Sequence, residues 1–288
     1  MIGSRSFGER LVVVTGASSG IGRAAAVRLA ARGARVVACA RDAARLRRLA
    51  VEVPGIEVRR CDVRSPAERA AFIDGVLARH GRVDALVNNA GVGWEGLVED
   101  MDYADVERLV TTNVTALVDL TRLVLPSMIE AASGDIVMVS SVSGLVSLPP
   151  QTVYCATKFA VEGFAEGLRR EVGRRGVRVH TVNPGPVRTE WLARSRGWEP
   201  PAGSPEANLG AGVPVDWVAA AVERSLSRPW PRTAAVPRIL GLARLLTLPP
   251  LRQVVDIVTG YTSVTLASAR PADEGERTLV SLPESSPQ

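Results

Sequence analysis

The sequence predicts an α/β fold, a doubly wound parallel sheet with helices on both faces, in a single domain. Two observations predict it. Between residues 11 and 182, short β-branched runs alternate with helix-like stretches, and these runs are apolar from end to end. Strands that lack a polar face are typical of a parallel sheet that is covered on both sides.

The predicted elements follow one another in the order of a Rossmann-type sheet. The predicted strands cover residues 11–15, 35–40, 56–60, 83–88, 135–140 and 177–182, with an edge strand at 234–236. The predicted helices cover residues 20–32, 42–50, 66–80, 105–127, 152–174 and 215–226. Strands and helices that alternate in this way indicate parallel βαβ units.

The domain is predicted to cover residues 1–267, and residues 268–288, rich in Ser, Glu and Pro, are expected to form a disordered tail. Residues 185–213 are rich in Pro, Gly, Trp and Arg, which predicts a long substrate loop at the surface. Residues 237–260 hold apolar residues at helical spacing and predict a helical extension. Neither an uncharged apolar run of about 18 residues nor a signal-peptide pattern is present, so we expect a soluble, cytoplasmic protein.

Composition excludes some classes of function. The net charge of +5 does not indicate nucleic-acid binding, because the basic residues form no clustered patch and aromatic residues for base stacking make up only 4%. The cysteines, Cys39, Cys61 and Cys155, lack the spacing of a disulfide framework or a zinc site, so no metal site is predicted. Of the 35 lysine and arginine residues, only Lys158 is a lysine. Since a compact ammonium and a planar guanidinium are not interchangeable at a closely packed site, Lys158 is a candidate functional residue.

The first predicted strand leads into the first helix through a glycine-rich turn, Thr15-Gly16-Ala17-Ser18-Ser19-Gly20-Ile21-Gly22. Glycines in such a turn let the backbone approach a pyrophosphate, whose charge the helix N-terminus stabilises. A tight turn without a ligand is the alternative for the motif alone. Its place after the first strand of a βαβ unit favours a dinucleotide site.

Tyr154 and Lys158 are four residues apart in a predicted helix, so their side chains share one face. An ammonium beside a phenol favours the phenolate, and we therefore expect a Tyr154 pKa lowered toward neutral pH, as a general acid or base requires. Ser141 directly follows the fifth predicted strand, where parallel sheets bind ligands, and could hydrogen-bond a substrate oxygen. Ser140 and Ser143 are close enough to serve instead.

Over residues 11–189 these motifs resemble the short-chain dehydrogenase/reductase family. The turn matches the family fingerprint T-G-x-x-x-G-I-G, and Ser19 stands where the extended branch has a further glycine, which favours the non-extended branch. Ser141, Tyr154 and Lys158 match the spacing of the family's catalytic residues. Asn113 matches its fourth position, which anchors a water in a proton relay to the lysine. The resemblance implies hydride transfer with a nicotinamide dinucleotide.

The resemblance also implies a set of cofactor-binding residues. These are Gly16, Ser18, Ser19, Gly20, Ile21, Gly22, Arg41, Asp62, Val63, Asn89, Ala90, Gly91, Tyr154, Lys158, Pro184, Gly185, Val187 and Thr189. Asp62 and Val63 correspond to the pair that holds adenine in the family, and residues 88–91 to its N-N-A-G motif. Two asparagines before Ala-Gly would also suit a plain turn.

Cofactor preference is predicted at the end of the second strand, beside the ribose. Arg41 there resembles the NADP-preferring members of the family, because a guanidinium neutralises a 2′-phosphate. An acidic residue would instead bind the 2′-hydroxyl of NAD, and Asp42 follows at once. Asp42 could also cap the next helix. We expect NADP to be preferred, with NAD possible.

The expected function is the interconversion of a carbonyl compound and an alcohol on an apolar small molecule. Candidate pocket residues, which could equally belong to the core, are Trp94, Leu145, Val146, Leu148, Gln151, Pro186, Trp191 and Trp198. Two other functions remain open: a dinucleotide-binding regulator without turnover, and a membrane-surface reductase of lipid-, retinoid- or steroid-like compounds that uses residues 238–251 as an amphipathic anchor. For that segment a subunit interface or a flap over the pocket is the favoured alternative. The resemblance implies a homodimer or homotetramer.

Overall fold

A computed structural model describes residues 7–191, 194–197, 212–249 and 251–257, and it confirms the doubly wound α/β fold. Its strands are β1 Leu11–Thr15, β2 Arg35–Ala40, β3 Glu57–Arg60, β4 Ala85–Asn88, β5 Trp94–Glu95, β6 Gly134–Val139, β7 Val177–Pro184, β8 Arg196–Gly197 and β9 Thr233–Val236. Its α-helices are α1 Gly20–Ala31, α2 Ala43–Glu52, α3 Pro66–His80, α4 Tyr103–Val110, α5 Ala116–Glu130, α6 Thr152–Val172 and α7 Val215–Leu226. Over the described residues, seven strands pair in parallel in the order β3-β2-β1-β4-β6-β7-β9, and β5 pairs with β8 outside this sheet.

The sheet separates two apolar cores, and the side chains of one strand alternate between them. Val12 and Val14 of β1 pack with α1, α2 and α7, whereas Val13 packs with α3, α5 and α6 on the opposite face. All three valines are fully buried. Burial on both faces explains why the strands read as continuous apolar runs rather than as an alternating pattern.

Most boundaries agree with the prediction because local capping determines them. β1, β2, α3 and α7 have the predicted bounds, and the other predicted strands differ by one or two residues at one or both ends. The short strands β5 and β8 are not among the predicted elements. The Asp42 carboxylate accepts the N–H of Arg45 at 2.9 Å and caps α2, and Ser65 Oγ accepts the N–H of Glu68 at 3.2 Å and caps α3. Gly81, with a φ of +79°, ends α3.

The helix predicted over 105–127 is longer and less regular than expected. A continuous helical run extends from Tyr103 to Glu130, with the π-helical turn Thr111–Thr115 between α4 and α5. By length and composition alone this run could cross a membrane. In the fold it is a core helix, since Leu120 and Val124 are buried against the sheet.

The extension predicted as helical begins with a 3-10 helix, Arg238–Thr247, and residues 251–257 form an α-helical stretch. Residues three apart lie near one another on a 3-10 helix as well as on an α-helix, so apolar residues at that spacing do not separate the two. Of the predicted substrate loop, residues 192–193 and 198–211 lie outside the described residues, as do Trp198 and the predicted tail 268–288.

One fully buried carboxylate, Asp135 of β6, joins three segments of the sheet. Arg178 of β7 donates two hydrogen bonds to it at 2.7 Å, and His180 Nε2 lies 3.1 Å from its Oδ1. Arg10, directly before β1, forms a further ion pair with it. Removing one member of a buried ion-pair network lowers the stability of the fold strongly, because the remaining charges stay buried without a partner.

We expect Asp135→Ala to lower the free energy of unfolding by about 3–5 kcal/mol, because Arg178 and Arg10 would lose their counter-charge in the interior. Urea unfolding followed by circular dichroism measures this. Glu166→Ala is the matched control, since its ion pair with Arg170 is exposed and should be worth less than about 1 kcal/mol. Equal losses in the two variants would contradict a special contribution from Asp135.

Candidate active site

The predicted site residues meet at one edge of the sheet. Thr15 ends β1, Asn88 ends β4, and Pro184 ends β7, while Ser141 follows β6 by two residues. Because these strands are parallel, their carboxyl ends lie together. Ligands of open α/β sheets bind in the crevice at this edge.

The glycine turn between β1 and α1 has no room for side chains at two of its positions. A Cβ on Gly16 would lie 2.9 Å from the Ala90 Cα, and a Cβ on Gly22 would lie 2.5 Å from the Gly16 carbonyl oxygen. Gly16 also has a φ of +66°. The turn is therefore packed directly against the loop that follows β4, and glycine is required for that contact.

Asn89 holds this turn in place. Its Nδ2 donates to the Thr15 carbonyl at 2.9 Å, and Thr15 Oγ1 accepts the N–H groups of Asn89 and Ala90, each at 3.0 Å. The Asn89 side chain is therefore hydrogen-bonded to the glycine turn. Asn88, one residue earlier, donates to Thr121 Oγ1 at 2.9 Å and anchors α5.

The N-terminus of α1 differs from those of α2 and α3. Ser19 at its N-cap makes no capping hydrogen bond with its side chain, and the first turn holds no acidic residue. Asp42 and Ser65 cap the other two helices. The first N–H groups of α1 are therefore left for an anion, which fits the pyrophosphate of a dinucleotide. Thr189 lies over the turn, since a Cβ on Gly20 would be 3.6 Å from its methyl group.

At the end of β2, Asp42 is paired with neighbouring groups whereas Arg41 is exposed. Asp42 caps α2 and pairs with Arg45, so its carboxylate is engaged by the helix. Arg41 is exposed, and among the described residues it forms no ion pair. Asp62, after β3, accepts hydrogen bonds from Arg64, which together with nearby Arg41 lower its pKa.

Ser141 lies beside Tyr154 at the centre of the edge. Ser141 Oγ donates to the Pro184 carbonyl at 3.4 Å and accepts the N–H of Ser143 at 3.1 Å. Hydrogen bonding by Ser141 also lowers the pKa of the Tyr154 phenol. Of the three neighbouring serines, Ser141 is thus the one joined to Tyr154. Ser140 is buried, and its Oγ has no hydrogen-bond partner among the described residues.

The expectation of a lowered Tyr154 pKa is not met. Burial raises the pKa of the phenol well above its usual value, and the hydrogen bond from Ser141 opposes this only in part. Trp191 covers the ring at a centroid distance of 5.2 Å, and Trp94 and Leu109 complete the apolar surroundings. The sequence predicts that Lys158 lies near Tyr154, but it does not predict how deeply Tyr154 is buried. Burial has the larger effect on the Tyr154 pKa.

Lys158 lies one turn after Tyr154 on α6 and is also buried. Its Nζ donates to the Val139 carbonyl at 3.2 Å and lies 5.7 Å from the centroid of the Tyr154 ring. Burial lowers the pKa of Lys158 to about 8, while the Glu162 carboxylate acts in the opposite direction. The ammonium can therefore exchange a proton near neutral pH.

Asn113 lies in the π-helical turn between α4 and α5, and both the amino group and the carbonyl oxygen of its side chain are hydrogen-bonded. Nδ2 donates to the Val92 carbonyl at 3.0 Å and to Thr157 Oγ1 at 3.1 Å, and Oδ1 accepts the N–H of Val92 at 2.9 Å. A Cβ on Gly91 would lie 3.3 Å from Asn113 Oδ1 and 3.8 Å from Lys158 Nζ, so these groups are neighbours. Single π turns are frequent at functional sites.

Sequence reasoning missed a hydrogen-bonded chain that leads away from Ser141. Gln151 Nε2 donates to Glu95 at 2.7 Å, and Ser143 Oγ donates to Gln151 Oε1 at 3.4 Å. The Glu95 carboxylate lies close enough to Tyr154 to raise its pKa. No local motif marks Glu95, because strand β5 brings it to the site from another part of the chain.

The candidate pocket residues divide into buried and exposed groups. Trp94, Leu145 and Val146 are buried, whereas Leu148 and Pro186 are exposed. Val187 forms a bridge with Val213 and packs against the core on the side of α1. Of these candidates, Trp191 packs on the Tyr154 ring, with the two ring centroids 5.2 Å apart.

The chain is similar to known short-chain dehydrogenases in sequence and in fold. The short chain dehydrogenase family model matches residues 10–200. A Mycobacterium tuberculosis protein named as an oxidoreductase, SadH, is 39% identical over 191 residues, which are 64% of this chain and 69% of the relative. A metagenomic short-chain oxidoreductase in complex with NADP has a TM-score of 0.68 and 33% identity, covering 80% of this chain and 97% of that one. A 3-ketoacyl-(acyl-carrier-protein) reductase from Brucella melitensis complexed with NADH has a TM-score of 0.72 and 26% identity, covering 81% and 99%.

We expect Glu95→Gln to lower the Tyr154 pKa, because it removes a negative charge that disfavours the phenolate. If the Tyr154 phenolate acts as the base of an alcohol oxidation, the rising limb of the pH–rate profile should move to lower pH. Glu99→Gln removes the same charge from an exposed position and should leave the profile in place. A lower rate at every pH with an unmoved profile would contradict this role for Glu95.

Proposed function

Because the chain belongs to the short-chain dehydrogenase family, and is on that ground a nicotinamide-dependent oxidoreductase, we propose that it is a cytoplasmic NADP(H)-dependent enzyme that interconverts a ketone or aldehyde and an alcohol. One observation supports this most strongly. Tyr154, buried beside Lys158, is hydrogen-bonded by Ser141 at the edge of the sheet where the uncapped N-terminus of α1 also lies.

A bound nicotinamide supplies or accepts the hydride. In the reductive direction Tyr154 donates its proton to the carbonyl oxygen, and burial favours the protonated phenol that this step requires. Ser141 hydrogen-bonds the same oxygen as negative charge develops on it. In the oxidative direction the roles reverse, and the ammonium of Lys158 stabilises the phenolate that forms.

Lys158 and Asn113 extend this proton path. With a pKa of about 8, Lys158 can take up or release a proton near neutral pH. Asn113 lies beside it across Gly91, and its bonds to Val92 and Thr157 fix the loop after β4 against α6. In this proposal a water held at Asn113 connects Lys158 with solvent.

Two observations support NADP as the preferred cofactor. Asp42 caps α2 and pairs with Arg45, so it is not free to select the 2′-hydroxyl of NAD. Arg41 is exposed at the same place and can pair with a 2′-phosphate. One solved relative contains NADP and another NADH, so the family accommodates both.

The surroundings of Tyr154 favour an apolar substrate. Trp94, Leu109 and Trp191 form an apolar wall beside the phenol, and Val153 and Met101 pack against it. A dinucleotide-binding regulator without turnover would not need Ser141, Tyr154 and Lys158 together at one place. Turnover itself distinguishes the two functions.

Tyr154→Phe should reduce turnover about a hundred- to ten-thousandfold, because the acid or base is removed while the ring remains. Oxidation of NADPH with a panel of ketones and aldehydes measures turnover, and fluorescence titration measures cofactor affinity, which should stay nearly unchanged. Tyr103→Phe is the matched control, since Tyr103 is exposed on α4. Turnover retained by Tyr154→Phe would refute the assignment.

Arg41→Ala should weaken NADPH binding about ten- to hundredfold and leave NADH binding nearly unchanged, because a charge-assisted contact with the 2′-phosphate is lost. Calorimetric titration of both cofactors measures this. Arg47→Ala removes an exposed arginine of α2 and should alter neither affinity. If the wild-type protein prefers NADH, Arg41 does not determine the cofactor preference, and Asp42 is the residue that would.

A further inference from the structure

Residues 238–249 and 251–257, called here the C-terminal segment, expose an unusual number of large apolar side chains. These are Ile239, Leu242, Leu245, Leu246, Leu248, Leu251, Val254 and Ile257. They make up half of the large apolar residues that are exposed in the described part of the chain. Soluble surfaces rarely hold so dense a set, and such a patch marks an interaction site.

Positive charges outnumber negative ones in this segment, although Arg252 pairs with Asp256 at 3.9 Å. Arg238, Arg244 and Arg252 belong to the segment, whereas Asp256 is its one acidic residue among those described. Arg232 lies beside them at the end of the α7–β9 connection. Burial and the nearby Arg228 lower the pKa of Arg232, as expected where cations outnumber anions.

A cavity of about 320 Å³ opens between the segment and the sheet. Arg232, Arg238 and Arg244 line it together with Thr233. Arg244 is paired with Glu162 at 3.2 Å. Arginine side chains that converge in this way fit the oxygen atoms of a phosphate group.

We propose that the C-terminal segment docks the protein on an anionic lipid surface, with its apolar side chains among the acyl chains and the cavity at Arg232, Arg238 and Arg244 holding a lipid phosphate. The segment combines exposed apolar side chains with arginines, as do helices that lie in the membrane interface. An anionic bilayer offers a partner for both kinds of side chain.

A second copy of the chain fits this surface less well. A two-fold interface places the same patch against itself, so both sides of the interface would carry an excess of positive charge. Like charges brought together in this way oppose association. The charge of the surface therefore favours an anionic partner over self-association.

Sedimentation of the full chain with vesicles tests the proposal without any need for turnover. Vesicles of phosphatidylcholine with phosphatidylglycerol should bind the protein, and vesicles of phosphatidylcholine alone should bind it far less. Binding should weaken as salt is raised. Leu242→Glu should reduce the partition coefficient about tenfold or more, and Arg238→Glu about fivefold or more.

Matched controls come from α2, where Val51 and Arg47 are exposed. Val51→Glu and Arg47→Glu should leave vesicle binding unchanged, and circular dichroism checks that each variant is folded. Three outcomes would overturn the proposal: no binding of the wild type, equal binding to neutral and anionic vesicles, or equal losses in the control variants. A dimer that Leu242→Glu dissociates, in a protein that ignores vesicles, would assign the surface to self-association.

Discussion

Parallel pairing of β1, β4, β6 and β7 is the interaction on which the rest of the structure depends. It brings together groups that are far apart in the chain: Thr15 Oγ1 accepts the N–H of Asn89, and Asn183 donates to the Ser141 carbonyl at 3.2 Å. The strands are apolar on both faces, so their polar ends are the places where hydrogen-bonding groups can gather. The site is therefore a consequence of the sheet rather than an addition to it.

Tyr154 and Lys158 are buried side by side, and their burial determines the acid–base properties of the site. The same cause raises the pKa of Tyr154 and lowers that of Lys158, because burial disfavours the charged form of each. Burial thereby keeps the Tyr154 phenol protonated and brings the pKa of Lys158 to about 8. Ser141 acts against burial at Tyr154, so the position of its hydroxyl determines how far the phenol is from ionising.

Much of this could be predicted from the sequence where the signal is local. The bounds of α3 follow from Ser65, Pro66 and Gly81, and the glycine turn follows from its own spacing. The π turn at Asn113 was not predicted, although a run rich in β-branched residues there disfavours a regular helix. Glu95 was missed for a different reason: its neighbours Gln151 and Tyr154 are distant in sequence, and only the fold brings them together.

Residues 185–190, which follow β7, are held in place by contacts with other elements rather than by their own helical or strand propensity. The N–H of Gly185 donates to the Val236 carbonyl at 2.9 Å, and Leu240 fills the space that a side chain at Gly185 would need. At the other end, Glu190 accepts a hydrogen bond from Arg45 at 2.9 Å. Since both ends are held by elements outside the crevice, a segment with neither helical nor strand propensity keeps a defined path. That path places Thr189 over the glycine turn.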